Sequence, residues 1–178
     1  MGRRVARTEP LRAVLLGIAS PNGGRIPLDP EILSHDVLQE LGTDERYRDR
    51  EFMDMLEDTK RIAGVDVEDY DAIYLTGGHG VMFDFTREDL GELMARFYEQ
   101  DKVVSTVCHG GVGLLPRGSA NAVPFSLQDE LKKLGANYSI AEKPFDPYVV
   151  EDGRLITGQN PGSARAVAEA VVIQLETR

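Results

Sequence analysis

The sequence predicts an α/β fold: a mainly parallel β-sheet with helices on both faces and a hairpin near the C-terminus. Three observations predict it. Apolar runs such as Val103–Val107 lack the alternation of a half-wet strand, as strands covered on both faces do. Amphipathic helical patterns fall between those runs, the order that right-handed βαβ crossovers leave in a chain. Asp152-Gly153 separates two short strand-like runs, which is a hairpin signal.

Each element follows from local chemistry. Arg12 to Ile18 reads as a buried parallel strand, and the Pro- and Gly-rich stretch Ser20 to Pro30 as a loop leaving the sheet. From Asp44 to Arg61 the pattern is one amphipathic helix, with Phe52, Met55, Leu56 and Ile62 facing the core. Asp71 to Thr76 is a strand stopped by Gly77-Gly78-His79-Gly80. A helix is expected over Arg87 to Gln100 with Thr86 as its N-cap and Leu90, Leu93, Met94 and Phe97 at helical spacing.

Val103 to Val107 is the next strand, and Cys108-His109-Gly110-Gly111 turns it into a helix running toward Leu115. Arg117 to Ala122 is a loop, and Ser126 to Leu134 a helix closed by Gly135. Short strands are expected around Tyr138 to Ala141, Tyr148 to Glu151 and Leu155 to Thr157. Ser163 is the expected cap of a last helix carrying Val167, Ala168, Val171, Val172 and Leu175.

Composition bounds the function classes. With 178 residues, 42% of them hydrophobic, the chain can fill one core, so residues 1–178 are expected to form a single domain with 1–11 as a flexible terminus. No run approaches the roughly 20 apolar residues that span a bilayer, and no signal-peptide pattern opens the chain; a cytoplasmic protein without membrane partners is expected. A net charge of −10 disfavours nucleic acid, because a polyanion would be repelled. The single cysteine excludes an intramolecular disulfide and any multi-cysteine metal site, and no metal is expected.

That cysteine carries the chemistry. Between an apolar strand and a helix, Cys108 would sit where unpaired amides and the helix dipole favour a thiolate, the geometry of a nucleophile elbow. The competing reading is a buried, inert cysteine. His109 is the adjacent candidate for proton exchange, since imidazole titrates near neutrality. Gly78 and Gly110 are candidates to offer backbone amides to an oxyanion, and His79 is a weaker candidate at the same substrate-binding position. His35 is likewise a weaker candidate.

At these residues the chain resembles the ThiJ/PfpI superfamily, with its class I glutamine amidotransferase-like fold, and within it the heat-shock chaperone and glyoxalase III branch. The resemblance rests on Asp69-Tyr70-Asp71-Ala72, on Thr76-Gly77-Gly78-His79-Gly80 with Met82 and Asp84, and on Val107-Cys108-His109-Gly110. It continues through Val123-Pro124-Phe125, Asp129-Glu130-Leu131, Gly153 to Pro161 and Ser163, covering most of the chain from Ser20 onward. It implies a flavodoxin-like three-layer sandwich and glutathione-independent conversion of methylglyoxal to lactate. Cys108 matches the nucleophile, His109 its neighbour and Gly78 the oxyanion position. No metal or organic cofactor is implied, and relatives described as protein deglycases or holding chaperones are often dimeric.

Two parts of the family pattern have no counterpart. Arg12 to Ile18 runs directly into the loop Ser20 to Pro30, without the βα unit that brings the family's catalytic glutamate; neither Glu9 nor Glu31 occupies that position. Pro116 to Ala122 replaces a longer segment with an acidic residue that supports the histidine. A fold trimmed by one βα unit would expose a sheet edge, so a homo-oligomer, a dimer by analogy, is expected. The first functional expectation is therefore a glyoxalase III-like enzyme impaired by the absent glutamate. The second is a weakly active or non-enzymatic stress protein or holding chaperone; glutamine amidotransferase and deglycase readings are weaker.

Overall fold

The computed structural model describes residues 14–115, 126–143 and 145–177. In chain order these form β1 (Ala19–Ser20), α1 (His35–Leu41), α2 (Asp44–Arg48), α3 (Arg50–Glu57), β2 (Lys60–Arg61), β3 (Ala72–Leu75), α4 (Val81–Asp84), α5 (Glu88–Glu99) and β4 (Val103–Val107). They continue with α6 (Leu127–Lys133), the hairpin β5 (Val149–Asp152) and β6 (Leu155–Gly158), and α7 (Ala164–Glu176). Short 3₁₀ helices link them, including Cys108–Leu114 directly after β4.

The main sheet has the order β3-β4-β6-β5. β3, β4 and β6 are parallel, with Leu75 opposite Thr106 and Thr106 opposite Thr157. β5 closes the edge antiparallel to β6, and Gly153, at φ +59°, makes the turn between them. Side chains alternate across this sheet, so successive residues serve different cores. Val104 joins Leu75, Leu90, Leu93, Met94 and Phe97 on the α5 face, while Val103 joins Ile156, Val167, Ala170 and Val171 on the α7 face. This is the three-layer α/β sandwich expected from the apolar strands.

Several local expectations need correction. Residues 14–18 form no strand: β1 pairs only Ala19 and Ser20 with Lys60 and Arg61, in a two-stranded sheet separate from the main one. A run needs neighbours to be buried, and Val14, Leu15 and Leu16 are 54%, 98% and 60% exposed. The helix expected over Asp44 to Arg61 is broken at Asp49, whose extended backbone ends α2 while its carboxylate accepts the amides of Glu51 and Phe52 to start α3. Ile62 does reach the core, from a 3₁₀ turn.

Thr86 is not the cap of α5. Arg87 holds that position, and its guanidinium is committed to Asp89. No strand forms over 138–141, where the Ala141 amide donates instead to the Gln159 side chain. Ser163 precedes α7 in helical backbone and makes no cap bond to it; its hydroxyl is shared with Tyr148 and Asn160, and Asn160 caps the turn Pro161–Ser163. Ala168 lies exposed, and Ala170 takes the core position. The expected loop Arg117 to Ala122 and the expected flexible terminus at 1–11 lie outside the described residues.

Candidate active site

β4 is buried along its whole length and ends at Cys108, which has φ +54°. A non-glycine residue there is strained, at a cost of about 1–3 kcal/mol, and persists only where its surroundings hold it. The 3₁₀ helix Cys108–Leu114 begins at that residue, so the strand gives way to a helix at a half-buried cysteine. The turn falls where the strand, cysteine and double glycine put it, between β4 and the 3₁₀ helix.

Two glycines make the bend fit. A β-carbon on Gly77 would lie 2.8 Å from Cys108 Cβ and 3.0 Å from the Val107 carbonyl oxygen. One on Gly110 would lie 2.5 Å and 2.6 Å from the carbonyl oxygens of Leu75 and Thr76. Real β-carbons do not approach backbone so closely, so both positions require glycine for contact between the ends of β3 and β4. Gly110 is buried, and its packing accounts for the glycine there. Gly78, at φ +109°, is exposed and faces open space.

The side chains gather at the same ends. Cys108 Sγ lies 3.8 Å from His109 Nδ1, within hydrogen-bond range for sulfur. The rings of His109 and His79 are 5.5 Å apart between centroids and tilted by 38°. His79 comes from the exposed loop after β3, where its carbonyl accepts the Met82 amide at the start of α4. Thus Cys108, His109 and His79 converge, with Gly77 and Gly78 beside them. His35 belongs to α1 and takes no part in this ring pair.

The sequence puts Gly77 in a tight turn after β3, and the structure adds its contact with Cys108 and the pairing of the two histidine rings. The tandem glycines after β3 were the available signal, since a second glycine at a strand end suggests close backbone approach. Among the described residues, no three His, Cys, Asp or Glu side chains gather as metal ligands. A surface hollow lined by Leu38, Gln39, Gly42, Asp44 and Glu45 belongs to α1, α2 and their junction, not to the cysteine turn. Among the described residues, no helix is long and apolar enough to cross a membrane.

The chain is similar to several known proteins. The profile of the DJ-1/PfpI family matches residues 42–174. The chain is 28% identical over 177 residues to the glutathione-independent glyoxalase HSP31 of Saccharomyces cerevisiae, covering 82% of this chain and 75% of that one. The crystal structure of glyoxalase III from Candida albicans superposes with a TM-score of 0.72 at 26% identity, covering 88% of this chain and 79% of that one. Rapid Encystment Protein 24 KDa of Francisella tularensis superposes with a TM-score of 0.72 at 29% identity, covering 86% and 78%. With the profile spanning most of its length and the fold shared with these structures, the chain belongs to the DJ-1/PfpI family, on the side of HSP31 and glyoxalase III.

Proposed function

We propose that this protein converts a small reactive 2-oxoaldehyde, methylglyoxal, to lactate without glutathione, through Cys108. The observation that carries the reading is the strained Cys108 backbone, φ +54°, with Sγ 3.8 Å from His109 Nδ1. The similarity to glyoxalases supports the substrate class. In this reading the thiol proton passes to His109 and the sulfur adds to the aldehyde carbon. The resulting oxyanion lies toward Gly78, whose exposed amide is the candidate donor, and receives the proton from His109. Proton transfers through an enediol give a lactoyl thioester, and water cleaves its C–S bond to release lactate and the thiol. Gly110 serves chiefly as packing.

Lactate formation from methylglyoxal, without glutathione, by wild type and by Cys108→Ala tests the reading. A large loss in the variant supports it; equal rates end it. A second reading, a holding chaperone, is favoured by the exposed apolar side chains Leu15, Phe83 and Phe145. Suppression of client aggregation that survives Cys108→Ala would support that one. A homo-oligomer belongs to the same proposal, because Val14, Leu15 and Leu16 form an uncovered apolar run. A monomeric mass by sedimentation at working concentration would count against it.

A further inference from the structure

We infer that His79 is a second catalytic residue, moving the carbon-bound proton of the substrate while His109 handles the oxygen-bound ones. This rests on the glyoxalase reading above. After sulfur adds to the aldehyde, the hemithioacetal must lose a proton from C1 and gain one at C2, while a hydroxyl proton moves from the C1 oxygen to the C2 oxygen. These are two transfers at different atoms. A single imidazole held against the sulfur is poorly placed to serve both.

The structure supplies two imidazoles. His109 Nδ1 faces Cys108 Sγ at 3.8 Å, which ties this ring to the thiol and to the oxygen formed beside it. The His79 ring stands 5.5 Å from the His109 ring, centroid to centroid. Its loop is fixed to the elbow by Gly77, whose α-carbon abuts Cys108 so closely that a β-carbon would come within 2.8 Å of Cys108 Cβ. His79 follows two residues later, after Gly78 has turned the chain at φ +109°. His79 is exposed, so its ring is open to a small aldehyde from solvent.

The steps balance. Neutral His79 takes the C1 proton, and the C–H electron pair becomes the C1=C2 bond as the C2 carbonyl becomes an enolate oxygen. His109 carries the C1 hydroxyl proton to that oxygen. Protonated His79 then delivers its proton to C2 as the C1 oxygen re-forms a carbonyl, giving the lactoyl thioester. Hydrolysis returns the thiol, so methylglyoxal and water yield lactate and a proton with no external oxidant or reductant.

The test compares wild type, His79→Ala, His79→Gln and Cys108→Ala for lactate formation, with the rate of Cys108 alkylation by iodoacetamide as a check on the elbow. Expected is a fall in kcat of about 100-fold in both His79 variants, as general acid-base groups typically contribute. KM and alkylation rate should change little, and added imidazole should restore part of kcat in His79→Ala. Wild-type activity that depends on Cys108 but stays within twofold in both His79 variants would overturn this inference alone. Equal lactate formation by wild type and Cys108→Ala would overturn the glyoxalase reading and this inference together. A fall in alkylation rate matching the fall in kcat would overturn it as well, by assigning His79 to the elbow's structure.

Discussion

Gly77 touches Cys108 so closely that the cysteine's position depends on the glycine having no side chain: a β-carbon there would meet Cys108 Cβ at 2.8 Å. Gly77→Ala must therefore push the two strand ends apart. The expected loss is about 1–3 kcal/mol, the usual cost of overpacking. Thermal unfolding measures it, and the alkylation rate of Cys108 should change in the same variant. An unchanged Tm with unchanged alkylation would show that the contact is slack.

The strain at Cys108 can be measured in two substitutions. Alanine keeps the left-handed penalty at φ +54°, whereas glycine removes it. Cys108→Gly should be more stable than Cys108→Ala by about 1 kcal/mol, reversing the usual order of these residues. Chemical denaturation of the two variants decides this; a less stable glycine variant would refute the claim.

Acid should weaken one pairing at the start of α5. Arg87 donates to Asp89 through Nε at 2.7 Å and Nη2 at 2.8 Å, and this holds the Asp89 carboxyl below its ordinary value. A carboxyl depressed by folding contributes stability that is present above its unfolded value of about 4 and is lost as pH falls through the folded one. The side chains are 28% and 29% exposed, so the contribution is about 1 kcal/mol or less. Asp89→Asn should lower Tm near neutral pH, and its difference from wild type should shrink as the pH falls well below about 4.

Burial separates two phenylalanines. Phe97 is fully buried between α5 and the sheet, and Phe97→Ala should cost about 3–5 kcal/mol. Phe145 is 83% exposed, and Phe145→Ala should stay within about 0.5 kcal/mol. Denaturant titration of both gives the contrast. Similar losses would mean that Phe145 is covered in solution, as in a homo-oligomer.

Much of the fold was legible because its strands are short, apolar and punctuated by glycine. β3, β4 and the β5–β6 hairpin lie where the patterns put them, and α5 and α7 carry nearly the faces expected. The failures have two causes. Residues 14–18 read as a strand on hydrophobicity alone, yet a strand exists only where another strand pairs with it, and only Ala19 and Ser20 find partners. The single helix expected over 44–61 failed at Asp49, whose carboxylate is worth more as a cap than its backbone is as a helical link.

The candidate site divides the same way. By itself the sequence determined that a lone cysteine ends a buried strand, that a histidine and two glycines follow it, and that the loop after β3 is built from glycine and histidine. Tertiary structure decided that Gly77 abuts Cys108 and that His79 stands beside His109, thirty positions further along. The reason is register: Leu75 pairs with Thr106, and that alignment carries both strand ends to one place. Local periodicity reports which residues face a core, but only pairing between distant strands sets which loops meet.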